Sequence, residues 1–152
     1  MTGWATTALL SIVLALIALI DFRHYRVPDL LSLPLMLAGM ALAWIDGPEA
    51  LRDRVLGAAV GFGVLAAFGE AYFRLRGFEG LGLGDAKLFG AAGAWLGWQA
   101  LPLVLLLAAG SGLCVALVTG VRGRAERIAF GPWIAFGFLL AWLVGPDRQA
   151  LF

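Results

Sequence analysis

One stretch of the sequence separates two strongly apolar segments: Glu79-Gly80-Leu81-Gly82-Leu83-Gly84-Asp85-Ala86-Lys87-Leu88. It has glycine at three alternate positions, and the last glycine is followed by an acid and, two residues later, a base. Glycine adopts backbone angles that other residues resist and lets another part of the chain approach closely. The pattern therefore predicts a bend that presents Asp85 at the edge of an apolar segment, rather than the interior of a strand or helix.

The composition is that of an integral membrane protein. Hydrophobic residues make up 62% of the 152 residues and charged residues only 14%, and the mean hydropathy is +0.93. A soluble domain of this length has too small a core to hide so much apolar surface. The net charge of +1 gives no indication of nucleic acid binding, and the single cysteine, Cys114, excludes an internal disulfide or a multi-cysteine zinc site.

Apolar runs separated by polar turns predict an all-α, polytopic membrane protein with one membrane-embedded domain over residues 1–152. The first run lacks a preceding basic region and a small-residue cleavage site, so we interpret it as a spanning helix rather than a signal peptide. Small residues in the fourth segment predict close helix packing, and Trp95 and Trp98 suit an aromatic belt at its end. The six predicted helices cover residues 4–20, 30–45, 55–72, 86–98, 101–121 and 130–144.

The basic residues predict the orientation of these helices. Eight of the eleven lie after the first, third and fifth segments: Arg23, Arg26, Arg74, Arg76, Lys87, Arg122, Arg124 and Arg127. Because cytoplasmic loops carry an excess of Lys and Arg, these loops are expected in the cytoplasm and both termini on the extracytoplasmic side. Asp21 and Asp85 then lie on the same, cytoplasmic side of the membrane.

Two carboxyl groups on one side of a membrane suggest a specific chemistry. When a pair of carboxyl groups meets in a partly dry site, one keeps a proton while the other activates water for attack on a carbonyl. The separation of Asp21 and Asp85 along the chain does not establish that they meet. Asp85 alone also fits an ordinary helix N-cap, which accepts backbone hydrogen bonds at the positive end of the helix dipole.

The sequence resembles the type IV prepilin peptidases, which are membrane aspartic proteases of the GxGD class. Four pieces carry the resemblance, in order: Asp21 with Val27-Pro28-Asp29; Glu79-Gly80 leading into Gly82-Leu83-Gly84-Asp85-Ala86-Lys87-Leu88; Gly93-Ala94-Trp95-Leu96-Gly97-Trp98-Gln99-Ala100-Leu101-Pro102; and Phe130-Gly131-Pro132. The pieces extend over nearly the whole chain at compatible spacing.

The resemblance implies an aspartic endopeptidase in the bacterial cytoplasmic membrane that removes the short basic leader of type IV prepilins or pseudopilins, with Asp21 and Asp85 as the catalytic pair. Neither a cofactor nor a metal is expected. Many relatives also methylate the new N-terminus through a region with paired CxxC motifs. This sequence starts at the first helix and has one cysteine, so we expect no N-methyltransferase activity.

We assign supporting roles to several residues near the candidate catalytic pair. Gly82 and Gly84 are expected to give a substrate backbone room, and Lys87 either acts on Asp85 electrostatically or anchors the helix at the membrane surface. Asp29 and Glu79 fit solvated loop acids, with contact to a basic leader as the alternative. Glu70 is interpreted as a contact within the bundle or an interfacial residue, outside the site.

Two alternatives to the prepilin peptidase remain open from the sequence. A protease of the presenilin kind shares the two-aspartate chemistry, but Ile20 stands where its Tyr-Asp pair would have tyrosine. A small transporter or channel subunit would use the same acids to bind ions, although such acids belong nearer the bilayer midplane than the segment ends.

Overall fold

The computed structural model describes residues 4–77, 81–119 and 129–145. Within these ranges the chain is helical and contains no strand, as the apolar runs predict. A short 3-10 turn at Trp98–Ala100 precedes the fifth helix. The α-helices are α1 Trp4–His24, α2 Asp29–Asp46, α3 Pro48–Arg76, α4 Leu83–Leu96, α5 Leu101–Thr119 and α6 Gly131–Val144.

Four stretches are long and apolar enough to cross a membrane: α1, α2, α3 and the stretch Trp98–Val118, which contains most of α5. The helices α4 and α6 have 14 residues each. A bilayer core about 30 Å thick requires around 20 residues of helix. Length and composition therefore indicate a membrane protein and identify four spans within the described part of the chain.

Several predicted helix boundaries are wrong, among them the end of α3, which lies at Arg76 instead of residue 72. Helix α1 continues to His24, so Asp21 lies within its last turn instead of at its end. Helix α3 begins at Pro48, seven residues before the predicted start. Proline suits the first turn because a backbone N–H at this position would have no acceptor within the helix. Arg54 is tolerated in the helix because it forms an ion pair with Asp46 at 2.8 Å. Helix α4 begins at Leu83, so Asp85 lies in its first turn.

The predicted end of the fifth helix at residue 121, the bend residue Gly80, and Glu79 lie outside the described residues. The basic residues Arg122, Arg124, Arg127 and Arg148 do too.

Helix α4 occupies the centre of the bundle. Ten of its 14 residues are buried, from Asp85 to Trp95 with the exception of Lys87. The predicted close packing is confirmed, because the backbones of Gly57 and Gly93 abut where α3 crosses α4. Side chains at these positions would force the helices apart, and close packing stabilises helix pairs in a membrane.

Trp95 does not lie in an aromatic belt, contrary to the prediction. Its side chain is only 5% exposed, and its Nε1–H donates a 2.7 Å hydrogen bond to the backbone oxygen of Leu35. Its Cδ1 lies against Gly39 of α2, where a larger residue would clash. Trp98 lies outside the bundle core and is 49% exposed. Tryptophan is amphipathic and suits both a helix-bundle core and a membrane interface, so hydropathy alone does not distinguish these two environments.

The helices form two groups. Helices α2, α3 and α4 pack on one another, whereas α6 packs on both α1 and α5, and α4 joins the groups by contacting α6. Asp21 belongs to one group through α1, and Asp85 belongs to the other through α4. The candidate site consequently lies where the two groups meet.

Candidate active site

Asp21 projects from the last turn of α1 into the bundle. Its side chain is 3% exposed, and within the described residues its Oδ2 is buried without a hydrogen-bond partner. Gly131, the first residue of α6, lies directly against it, because a Cβ atom on Gly131 would lie 2.6 Å from that oxygen. A buried polar atom without a partner is uncommon and marks a candidate functional group.

Asp85 projects from the first turn of α4 and is 9% exposed. Its Oδ2 accepts a long hydrogen bond, 3.4 Å, from the backbone N–H of Gly82, the residue before the helix. The alternative of a helix-capping acid is therefore partly correct, since Asp85 does bind a backbone N–H at the helix start. Capping does not account for its burial, because surface acids perform the same task.

The fold brings the two carboxyl groups together. The segments that carry Asp21 and Asp85 meet because the glycines beside them, Gly131 and Gly84, both pack on Val27. The side chain of Val27 is buried against both glycines: a Cβ on Gly84 would lie 2.9 Å from Val27 Cβ, and a Cβ on Gly131 would lie 2.8 Å from Val27 Cγ2. The residue before Asp85 and the residue against Asp21 thus pack on the same valine.

The turn between α1 and α2 places Val27 in this position. Tyr25 has a positive φ of 52°, a left-handed conformation that non-glycine residues adopt infrequently. Its backbone N–H donates a 2.8 Å hydrogen bond to the Asp21 backbone oxygen, which closes α1. Pro28 then starts α2, and the chain reverses within four residues. Local backbone geometry therefore couples the position of Asp21 to that of Val27.

Gly82 and Gly84 differ in their surroundings. Gly82 is extended (φ −78°, ψ 150°), and the nearest atom to a Cβ there would be Asp85 Oδ2 at 3.8 Å. Gly84 lies within α4 and packs on Val27. Neither has a positive φ, so the expectation that these glycines adopt unusual backbone angles is wrong. Gly84 is needed for close approach, and the stretch that follows it is helix instead of a bend.

Lys87 pairs with Asp29 across 2.7 Å, which joins the first turn of α4 to the first turn of α2. The Lys87 side chain is 26% exposed and the Asp29 side chain 57%. Asp29 is exposed, as expected, but it lies on a helix and not in a loop. The role of Lys87 as a surface anchor stays a prediction. Lys87 and Asp29 are 58 residues apart in the sequence, so their spacing does not predict that they are in contact.

Glu70 lies near the site, although the sequence placed it outside. It lines a groove together with Leu81, Gly82 and Leu83, the residues that lead into α4. The signal available in the sequence was an ionisable residue close to the end of an apolar helix, a pattern that often marks function. Among residues 4–77, 81–119 and 129–145, no three His, Cys, Asp or Glu side chains form a group able to hold a metal ion.

Fold and site together define a class: an all-helical membrane protein with two buried carboxyl groups at the junction of two helix groups. A sequence model of the type IV leader peptidase family matches residues 8–117. The chain belongs to the type IV leader peptidase family. No solved structure matches it.

Curated proteins that are similar in sequence to this chain are named leader peptidases. A prepilin leader peptidase/N-methyltransferase of Escherichia coli (strain K12) is 42% identical over 134 residues, which are 84% of this chain and 60% of the relative. Its namesake from Aeromonas hydrophila is 42% identical over 149 residues, 94% of this chain and 51% of the relative. The chain thus spans between half and three fifths of these two proteins. The leader peptidase HopD of Escherichia coli is 38% identical over 133 residues, 84% of this chain and 85% of that protein.

Proposed function

We propose that this protein is a membrane aspartic endopeptidase that cleaves the leader from type IV prepilins or pseudopilins, with Asp21 and Asp85 as its catalytic pair. The observation that supports the proposal is that Asp21 and Asp85 are both buried, and that Gly131, against Asp21, and Gly84, next to Asp85, pack on the same valine, Val27. Membership of the leader peptidase family and the names of the relatives favour a peptidase over a transporter. Methyl transfer is not part of the proposal, since the two carboxyl groups supply acid-base chemistry alone.

The proposed mechanism uses one proton shared by two carboxyl groups. The ionised carboxylate takes a proton from a water molecule, which attacks the carbonyl carbon of the scissile peptide bond. The protonated carboxyl group donates its proton to the carbonyl oxygen, which gives a tetrahedral intermediate. The carboxyl group that accepted the water proton then passes it to the leaving nitrogen, the other carboxylate takes a proton from a hydroxyl group of the intermediate, and the C–N bond breaks. Burial and mutual repulsion keep both groups from ionising together, so acid and base are present at once.

We further propose that all six helices cross the bacterial cytoplasmic membrane, with both termini on the extracytoplasmic side. A 14-residue helix is about 21 Å long, shorter than the bilayer core of about 30 Å. The central position of α4 supports the proposal, since its neighbours shield it from lipid over most of its length. In this orientation the ends of α1 and α3 and the starts of α2, α4 and α6 face the cytoplasm, where the prepilin leader would be cleaved.

Co-expression with a prepilin tests the function. We expect the wild type to shorten the prepilin on a gel, and Asp21→Asn and Asp85→Asn each to abolish the shift, since asparagine retains the side-chain size but cannot ionise. Asp53→Asn, at the opposite end of the bundle in α3, is the matched control and should cleave normally. Normal cleavage by either site variant would refute the catalytic pair. Failure of the wild type to cleave any of several prepilins would refute the peptidase.

A further inference from the structure

A groove runs along the end of α3 and meets the start of α4. Its volume is about 560 Å³, and its lining is apolar except for one carboxylate. One wall of the groove is α3 and the other is the segment from Leu81 to Leu83. The two walls approach closely at Gly69, where a Cβ atom would lie 3.1 Å from the backbone oxygen of Leu81. The residues that line it include Leu65, Gly69, Glu70, Phe73, Leu81 and Gly82.

The groove adjoins Asp85 through Gly82. Gly82 forms part of its wall, and the backbone N–H of the same residue donates to Asp85 Oδ2. Gly82 has no side chain, and its backbone is extended. A peptide lying in the groove would therefore pass over Gly82 and reach Asp85 without meeting a side chain at that point.

The groove lies at the charged C-terminal end of α3. This helix has 29 residues and a length of about 43 Å, compared with about 30 Å for the hydrocarbon core. The last turns of α3 carry Glu70, Arg74 and Arg76, so this end lies in the polar region of the membrane or in water. A substrate segment leaving the membrane surface can reach the groove there.

Glu70 gives the groove its charge. Its carboxylate accepts a 2.7 Å hydrogen bond from Nε of Arg74, one turn further along α3, and the two side chains are 58% and 76% exposed respectively. Exposed ion pairs within a helix contribute little to stability, so a cation from another molecule competes for Glu70 at small cost. The wall that the groove shares with Gly82, whose N–H binds Asp85, favours the substrate peptide as the occupant.

We propose that this groove holds the substrate segment beside the scissile bond, and that Glu70 selects a basic side chain in that segment. The inference rests on the proposed peptidase function and identifies a specificity-determining residue for it. Glu70 does not contact the reacting atoms. Its substitution should therefore change which leaders are cleaved and leave the chemistry of the Asp pair in place.

The test is a charge exchange between enzyme and substrate. A set of prepilins is prepared in which each basic leader residue is replaced in turn by Ala or Glu, and kcat/KM is measured in detergent for wild type, Glu70→Gln and Glu70→Lys. With the unaltered leader we expect Glu70→Gln to lose about fivefold and Glu70→Lys more. At one leader position, replacement by Glu should restore cleavage by Glu70→Lys and reduce cleavage by the wild type.

Glu49→Gln is the matched control, since Glu49 is an exposed acid at the other end of α3, and its preference among the leaders should equal that of the wild type. An equal loss by the Glu70 variants on every leader would overturn the proposal, because it would assign Glu70 to folding or to lipid contact. Unchanged kinetics would overturn it as well. Neither result affects the proposed function, which fails only if wild type does not cleave or if the Asp21 and Asp85 variants do.

Discussion

Nζ of Lys87 lies 2.7 Å from Oδ2 of Asp29, and this ion pair ties the helix of Asp85 to the helix that follows the Val27 turn. We expect Lys87→Ala and Asp29→Ala each to lower the cleavage rate about two- to fivefold, the range that a partly exposed ion pair supports. The exchange Lys87→Asp with Asp29→Lys should recover most of the loss, because it restores the pair with reversed polarity. Single and double variants are compared by kcat/KM and by thermal unfolding.

The ion pair of Arg54 and Asp46 serves as the control for this experiment. It has a similar separation, 2.8 Å, but joins α2 and α3 at the end of the bundle away from the site. Arg54→Ala should leave the cleavage rate unchanged. If the exchanged Lys87 and Asp29 variant is slower than both single variants, the pair has no positioning role.

The two glycines of the GxGD stretch should respond differently to alanine. At Gly84 a methyl group would meet Val27 Cβ at 2.9 Å and the Val27 backbone oxygen at 3.1 Å, whereas at Gly82 nothing lies within 3.8 Å. We expect Gly84→Ala to lower the free energy of unfolding by about 1–3 kcal/mol, as overpacking does, and to reduce cleavage more than Gly82→Ala does. Thermal unfolding in detergent and cleavage assays measure the two effects. Equal sensitivity of both positions would contradict the described packing.

Gly131 should be essential because of its position and not its flexibility. A methyl group there would lie 2.6 Å from Asp21 Oδ2 and 2.8 Å from Val27 Cγ2, so the carboxyl group has to move. A displacement of about 1 Å at a catalytic group costs on the order of 100-fold in rate, and we expect a loss of this size for Gly131→Ala. Gly63→Ala is the control, since no atom lies within 4 Å of that position. A Gly131→Ala protein with normal activity would show that the Asp21 geometry does not matter.

The rate of cleavage should fall at both ends of the pH range. At low pH both carboxyl groups are protonated and no base remains to activate water; at high pH both are ionised and no acid remains to protonate the carbonyl. The measurement is kcat/KM against pH for the purified wild type, with thermal unfolding at each pH to separate catalysis from denaturation. A rate that rises continuously with pH would indicate a single base and exclude the shared proton.

The order of the helices was predictable from the sequence, whereas the packing of the site was not. Apolar runs identify α1, α2, α3 and α5 because a membrane-spanning helix needs a long run of residues. Hydropathy does not separate a lipid-facing residue from a buried one, so the burial of Trp95 was missed. Charged residues at the start of α3 resembled a loop, yet they lie on a helix because they remain exposed or paired.

The candidate catalytic acids were identified through the resemblance, and the structure supplied what surrounds them. The 64 positions between Asp21 and Asp85 carry no distance information, since only tertiary packing brings α1 and α4 together. Val27 and Gly131 lay within the quoted motifs, but their contact with each other depends on the turn at Tyr25. The groove beside Glu70 forms between distant segments and has no local sequence pattern.

The glycine contact between α3 and α4 has a consequence for how the protein moves. Because Gly57 and Gly93 meet backbone to backbone, rotation or sliding of one helix along the other would bring neighbouring side chains into collision. We therefore expect Asp85 and the groove beside Glu70 to move together when the bundle opens. We expect substrate entry to separate α3 and α4 from the α1, α5 and α6 group, so that Asp21 moves relative to Asp85 and the distance between the two carboxyl groups changes on entry.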